Sequence, residues 1–219
     1  MLRPLRVLLV EDRPTDAELV VRELRRAGFD PNWSQVDTEE EYLSQLSPDV
    51  DLILSDYTMP NFSGLRALEL VNQSGLDLPF IIVSGSIGED IAVSAMKQGA
   101  TDYLLKDRLE RLGPATTMAL EQKQLRDEKT RADAAFEQLQ RQHELILQSV
   151  GDGIHGMDLN GNIVFENPAG ARMLGWEIDE LVGKPAHETI HHSHPDGSDF
   201  PKEQCSIYAT FCDGITRNV

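Results

Sequence analysis

Four short apolar runs in the first half of the chain lead directly into residues that could do chemistry. Val7–Val10 leads into Glu11-Asp12, Leu52–Leu54 into Ser55-Asp56, Phe80–Val83 into Ser84, and Tyr103–Leu105 into Lys106. A single acid at the end of such a run is ordinarily a solvated loop residue. An acidic pair, an Asp, a Ser and a Lys at four matching ends form a set. Three carboxylates drawn together cannot all stay ionised without a cation, and a few hard oxygen ligands suit Mg²⁺. An Asp held beside that ion can act as a nucleophile toward a phosphoryl group and form an acyl phosphate. Lys106 could neutralise the transferred oxygens, and the Ser84 hydroxyl could donate to one of them.

Such a set needs a scaffold that brings those ends to one edge. The runs are continuously apolar rather than alternating, which fits strands buried on both faces of a parallel sheet. A weaker run lies near Trp33–Val36. Between the runs lie amphipathic stretches, Thr15–Ala27, Glu39–Leu46, Leu65–Gln73 and Asp90–Gln98, each closed by a Gly or a Ser-Pro pair. Five βα units give an α/β, doubly wound, five-stranded parallel sheet. In an open sheet of this kind, ligands bind at the carboxyl ends of the strands where the strand order reverses. With the order 2-1-3-4-5, Asp12 and Asp56 fall side by side, flanked by Glu11.

These residues resemble the receiver domain of two-component response regulators over residues 5–120. The matching stretches are Val7-Leu8-Leu9-Val10-Glu11-Asp12, Leu54-Ser55-Asp56-Tyr57-Thr58-Met59-Pro60 with Gly64, Val83-Ser84-Gly85, and Gly99-Ala100-Thr101-Asp102-Tyr103-Leu104-Leu105-Lys106. The resemblance implies a flavodoxin-like fold and a Mg²⁺ cofactor. It implies that Asp56 is the phosphoacceptor, and that Asp12, Asp56 and the backbone carbonyl of Thr58 bind the metal with Glu11 in support. It further implies that Ser84 moves onto the phosphoryl group, that Tyr103 changes rotamer with it, and that Lys106 contacts the phosphoryl oxygens. The implied partner is a histidine kinase or a phosphotransfer protein. A receiver assists its own phosphotransfer and dephosphorylation, so whether the whole protein is an enzyme stays open.

Residues 114–149 differ in composition from both flanks: nearly neutral, rich in Gln, Glu, Arg and Ala, and free of Gly and Pro after Pro114. Met118, Leu125, Ala132, Leu139 and Ile146 recur at every seventh position. A second row, Ala115, Gln122, Lys129, Phe136, His143 and Val150, is half polar. A strict heptad stripe is suited to a partner helix, so a weak coiled coil is expected. A continuous helix from Pro114 to Ser149 would extend about 54 Å, and a parallel homodimer through it is predicted. His143-Glu144 has the local form of a sensor-kinase phosphorylation site. The Pro, second helix and ATP domain expected after one do not follow.

Residues 150–219 resemble the opening of a PAS domain. The matching residues are Ser149-Val150-Gly151-Asp152-Gly153-Ile154, Asp158-Leu159-Asn160-Gly161, Val164-Phe165-Glu166-Asn167-Pro168-Ala169, Leu174-Gly175-Trp176 and Glu180-Leu181-Val182-Gly183-Lys184. Ile154–Asp158 and Ile163–Glu166 are predicted to form a hairpin closed by Asn160-Gly161 in a type I′ turn. A short helix is predicted over Ala169–Leu174 and a longer one over Lys202–Cys212. Two strands suffice only for a partial α+β PAS domain, which suggests a fragment. The resemblance leaves the PAS ligand undefined. It also implies that such a protein often continues into a histidine kinase or a cyclic-dinucleotide enzyme.

His187-Glu188-Thr189-Ile190-His191 has the spacing of a zinc-hydrolase motif, with His192 and His194 nearby. A metal-dependent hydrolase using His187 and His191, or the acidic site, is therefore the competing reading. Pro185 and Pro195 bracket the motif closely, and a third ligand at the expected distance is missing. Cys205 and Cys212 fall seven apart, on one helix face, and read as packing residues.

The formal net charge of −17 opposes nucleic-acid binding, which needs a basic footprint, and docking on an anionic membrane. Two cysteines cannot build a disulfide scaffold, and no apolar run is long enough to span a bilayer. The sequence thus reads as a cytoplasmic two-component signalling protein: a receiver at 1–113, a helical linker at 114–149 and a partial PAS domain at 150–219. Phosphotransfer to Asp56 would be relayed through the linker to the PAS segment and to whatever follows it.

Overall fold

The apolar runs become strands because each presents alternate side chains to two different layers. A computed structural model of the chain describes residues 2–85, 89–215 and 217. The chain divides into two units, residues 1–131 and 132–219. The first contains β1 (Arg3–Val10), α1 (Pro14–Arg26), β2 (Phe29–Val36), α2 (Glu39–Gln45), β3 (Leu52–Asp56), α3 (Gly64–Ser74), β4 (Phe80–Ser84), α4 (Glu89–Lys97) and β5 (Asp102–Leu105). A 3₁₀ turn over Lys106–Arg111 leads into α5 (Leu112–Ser149). The five strands form one parallel sheet in the order β2-β1-β3-β4-β5, the order read from the sequence.

Two cores lie on the two faces of the sheet. Leu5, Val7 and Leu9 of β1, Leu52 and Leu54 of β3, and Ile81 and Val83 of β4 pack with Val20, Val21 and Leu24 of α1 and Leu112 and Ala119 of α5. Their neighbours Leu8, Val10, Ile53, Phe80 and Ile82 pack on the other face with Tyr42 of α2, Leu68 and Val71 of α3, and Ala95 of α4. The period of two within a continuously apolar run is what lets both faces be buried. The weak run near Trp33 lies in the edge strand β2, where Pro31 leaves no ladder bond of a central strand unmade.

The helix predicted from Pro114 begins two residues earlier, at Leu112. Its first turns bury Leu112, Gly113, Thr116 and Ala119. Gly113 permits the approach to the end of α1, since a β-carbon there would collide with the Ala27 side chain. Farther along, Arg126 makes a two-pronged ion pair with Asp77, at 2.8 and 2.9 Å. Leu125, Phe136, Leu139 and Ile146 on the same helix are exposed.

The second unit holds an antiparallel pair, β6 (His155–Met157) and β7 (Ile163–Glu166), with α6 (Pro168–Leu174), α7 (Ile178–Leu181), α8 (Ala186–Ile190), a 3₁₀ turn (Lys202–Gln204) and α9 (Ser206–Asp213). The hairpin exists as predicted, but its turn is not type I′. That turn needs two residues with positive φ, and among the described residues only glycines have one; here it is Gly161, at +82°. The Asp158 side chain sets the alternative by accepting hydrogen bonds from the backbone N–H groups of Asn160 and Asn162. The helix predicted over Lys202–Cys212 is broken at Cys205, whose ψ of 119° is extended. The side chain of Cys212 lies outside the described residues, so its expected shared face with Cys205 is not described. Among the described residues, the unit's buried cluster is small: Ile163, Ala171, Leu181 and Ala186. Among the described residues, no helix is long and apolar enough to cross a membrane.

Candidate functional site

The carboxyl ends of β1, β3, β4 and β5 meet at one edge, as parallel pairing requires. Their registers set Val10 beside Ser55, Asp56 beside Val83, and Ser84 beside Leu105. Asp12, Asp56, Thr58, Ser84 and Lys106 accordingly line one open cleft of about 580 Å³, together with Arg13, Asp16, Met59, Pro60 and Gly85. The Tyr103 backbone lies on β5 opposite Ile82, and its half-buried side chain packs on the core beneath α2, α3 and α4.

Lys106 organises the charge. Its Nζ donates to Glu11 Oε2 at 2.7 Å, Asp16 Oδ2 at 2.7 Å and Asp56 Oδ2 at 2.9 Å. An ammonium has three N–H groups, so this one is saturated by three carboxylates. Burial alone would lower the Lys106 pKa, but the hydrogen bonds to Asp16, Glu11 and Asp56 outweigh it and the net shift is upward. Burial likewise pushes the Glu11 carboxyl above its ordinary value, and the Asp56 charge adds to that rise while Lys106 opposes it. The Lys106 hydrogen bond holds the Asp16 carboxyl below its ordinary value.

Local structure fixes the rest. Glu11 is 5% exposed; its other oxygen accepts from the Arg13 N–H, and its carbonyl accepts from the Gln35 side chain. The loop after β3 folds tightly over the site, with Thr58 and Ser63 bridged and Ser63 capping α3. Only glycine fits at position 64, where a β-carbon would lie 2.5 Å from the Asp56 carbonyl oxygen. Glu11, Asp12 and Asp56 each offer an oxygen, and the three lie within 4.8 Å of one another. That spacing, with hard donors and a Glu11 carboxyl already strained toward protonation, fits a small divalent cation.

Asp16 was missed by sequence reasoning. It is an acid in the first turn of α1, a position that needs no explanation beyond the helix dipole. Its partner is 90 residues away in sequence, so no local signal marks it.

The histidine motif does not assemble in the same way. His187 lies in α8 with Nε2 3.0 Å from the Phe200 carbonyl oxygen, which can only accept, and His191 Nδ1 lies 3.5 Å from Cys205 Sγ. The rings of His187, His191 and His194 pack around Phe200. A zinc site needs at least three converging protein ligands, and among the described residues the set that converges is Glu11, Asp12 and Asp56. The cavity beside His187 and His191, lined also by Met157, Cys205 and Tyr208, measures about 50 Å³, below the usual range for a cofactor pocket. Asn167 is a second residue whose importance the sequence did not reveal. Fully buried, it accepts from the Ile154 and Gly170 N–H groups and donates to the carbonyls of Leu147 and Asp152.

Comparison with known proteins identifies the two folds. Residues 7–115 match the response regulator receiver domain, and residues 141–210 match the PAS fold. The chain is similar to the two-component response regulator ORR21 of Oryza sativa subsp. indica, 37% identical over 110 residues, which make up 49% of this chain and 16% of that protein. It is also similar to the cell cycle transcriptional regulator CtrA of Caulobacter vibrioides, 33% identical over 102 residues, or 47% of this chain and 44% of that protein. The chain thus spans less than half the length of these relatives. A signal receiver domain from Vibrio parahaemolyticus superposes with a TM-score of 0.50 at 30% identity, covering 57% of this chain and 96% of that one. The response regulator StyR, with a TM-score of 0.55 and 23% identity over 68% of this chain and 78% of its own, shares the fold. Through residues 7–115 the chain belongs to the response regulator receiver family, and it carries a PAS fold at residues 141–210.

Proposed function

We propose that Asp56 accepts a phosphoryl group from a histidine kinase or phosphotransfer protein, and that the change is relayed along α5 to the PAS unit. The observation that carries this reading is the Lys106 ammonium held between Glu11, Asp16 and Asp56 in an open cleft at the strand ends. In the transfer, the bond between phosphorus and the donor imidazole nitrogen breaks and a bond to an Asp56 carboxylate oxygen forms. The imidazole nitrogen keeps the electron pair and takes a proton. Glu11, Asp12, Asp56 and the Thr58 carbonyl would hold Mg²⁺, which supplies charge neutralisation for the phosphoryl oxygens. Lys106 brings a fixed positive charge to the same oxygens, and Ser84 at the end of β4 a hydroxyl. Tyr103, whose half-buried side chain packs on the core beneath α2, α3 and α4, would follow Ser84 and alter the face of the last strands and helices.

The relay and the oligomer rest on α5. Leu125 (65% exposed), Leu139 (49%) and Ile146 (50%) continue a heptad stripe along it, which supports a parallel homodimer. At its far end the Leu147 carbonyl is bonded to Asn167, giving the helix a direct contact with the PAS hairpin. The charge and the pair of cysteines suit a cytoplasmic protein.

Beryllofluoride mimics the phosphoryl group. Its binding to the full chain, followed by calorimetry, is expected to require Mg²⁺ and to vanish in Asp56→Ala. Failure of the unaltered chain to bind would overturn the reading. Sedimentation at micromolar concentration is expected to give a dimer, and a monomer would remove the coiled coil from it.

A further inference from the structure

The Lys106 ammonium has three acceptors for its three N–H groups, and two of them belong to the set that can hold a cation. Glu11 and Asp56 lie with Asp12 in the cluster of converging oxygens; Asp16 does not. When a divalent cation draws on Glu11 and Asp56, Lys106 loses part of its hold on both. Its remaining acceptor is Asp16, whose backbone is fixed in the first turn of α1 by the N–H bond to the Arg13 carbonyl. We infer that Asp16 is the positioning residue for Lys106: it retains the ammonium over Asp56 while Glu11 and Asp56 turn to the cation.

This inference rests on the phosphoacceptor reading and adds to it a division of labour among four carboxylates. Glu11, Asp12 and Asp56 face the cation, and Asp16 faces the lysine. Asp16 stays ionised in this role because Lys106 and, more weakly, Arg13 favour its charged form. Its contact is a charge-assisted hydrogen bond of 2.7 Å. It is also available before any phosphoryl group arrives, so the lysine does not have to be ordered during the reaction. Without Asp16 the ammonium is loosest in the cation-loaded state, which is when it is needed.

The test uses the full chain and the variants Asp16→Asn and Asp16→Glu. In Asp16→Asn, Mg²⁺ affinity measured alone is expected to stay within about threefold of the unaltered protein. Beryllofluoride affinity at saturating Mg²⁺ is expected to fall about tenfold, the size of one lost charged hydrogen bond. Proton exchange at the ¹⁵Nζ of Lys106, read by NMR with Mg²⁺ present, is expected to speed up by about tenfold, since the acceptor that holds it in the cation-loaded state is gone. Asp16→Glu is expected to restore both. Unchanged beryllofluoride affinity and unchanged Nζ exchange in Asp16→Asn would overturn the inference. A loss of Mg²⁺ affinity of tenfold or more would overturn it too, by making Asp16 part of the cation site. Failure of the unaltered chain to bind beryllofluoride would instead count against the phosphoacceptor reading.

Discussion

The two units solve the problem of burial differently. In the receiver unit, two clusters of large aliphatic side chains cover both faces of a five-stranded sheet, and the cleft's charges are gathered around Lys106. Among the described residues of the PAS unit, the buried cluster is Ile163, Ala171, Leu181 and Ala186. Both carboxylate oxygens of Glu166 and the Nδ1 of His187 are buried there without a hydrogen-bond partner among the described residues. A small apolar core gives little surplus to offset unpaired polar groups. The lesson is that the first unit owes its stability to area removed from water. The second depends on a few hydrogen bonds being made without fault.

Measurement can break that contrast, because each unit contains one tryptophan, Trp33 in the first and Trp176 in the second. The largest effect is expected for Leu54→Ala, a buried β3 residue, which should cost the receiver unit about 3 kcal/mol in denaturant unfolding. The Trp33 transition should move while the Trp176 transition stays. Asn167→Ala should do the reverse. It leaves the buried Gly170 N–H, the half-buried Ile154 N–H and two carbonyls without their partner, and about 2 kcal/mol should be lost from the Trp176 transition. If both substitutions moved both transitions together, the two units would not be separate in stability.

Glu166→Gln sharpens the same point through pH. Burial holds the Glu166 carboxyl above its ordinary value of 4.5, with His155 opposing weakly. A carboxyl raised on folding favours the protonated form in the folded state. Its contribution is therefore fully present below about pH 4.5 and is lost as pH rises through the folded pKa. The Trp176 transition is expected to weaken by about 1.4 kcal/mol per pH unit across that interval and then level off. In Glu166→Gln the dependence should flatten and stability near neutral pH should rise. A steeper dependence would contradict a buried, unpaired acid. The smallest effect is expected for Arg126→Ala, whose ion pair with Asp77 is about half exposed on both sides. The change should stay below about 0.5 kcal/mol in the Trp33 transition.

How much of this was legible depended on whether the signal was local. The strand runs follow from an apolar period written into short stretches, while the sheet order came from the resemblance to receiver domains; with that order, parallel pairing brings Glu11, Asp12, Asp56, Ser84 and Lys106 to one edge. Asp16 was illegible because its meaning comes from a lysine 90 residues later. The Asn160-Gly161 dipeptide pointed to the wrong turn because Asp158, two residues earlier, supplies an acceptor that the dipeptide rule ignores. The break at Cys205 was hidden for a similar reason. Nothing in Lys202–Cys212 disfavours a helix locally, and it is Cys205, 1% exposed beside His191, that sits where the chain turns extended. His187 and His191 show the opposite error, a local pattern that tertiary structure turns to packing around Phe200.

The four bonds of Asn167 also have a mechanical consequence. One amide joins the last turn of α5 at Leu147 to the segment before β6 and to the start of α6. An asparagine side chain can make four such bonds, so none is left to take up slack. Rotating the helix by one residue would swing the Leu147 carbonyl through about 100° and shift it about 1.5 Å along the axis, out of reach of Nδ2. The end of α5 therefore behaves as a keyed shaft. Torque applied along it either turns the hairpin with it or shears the key.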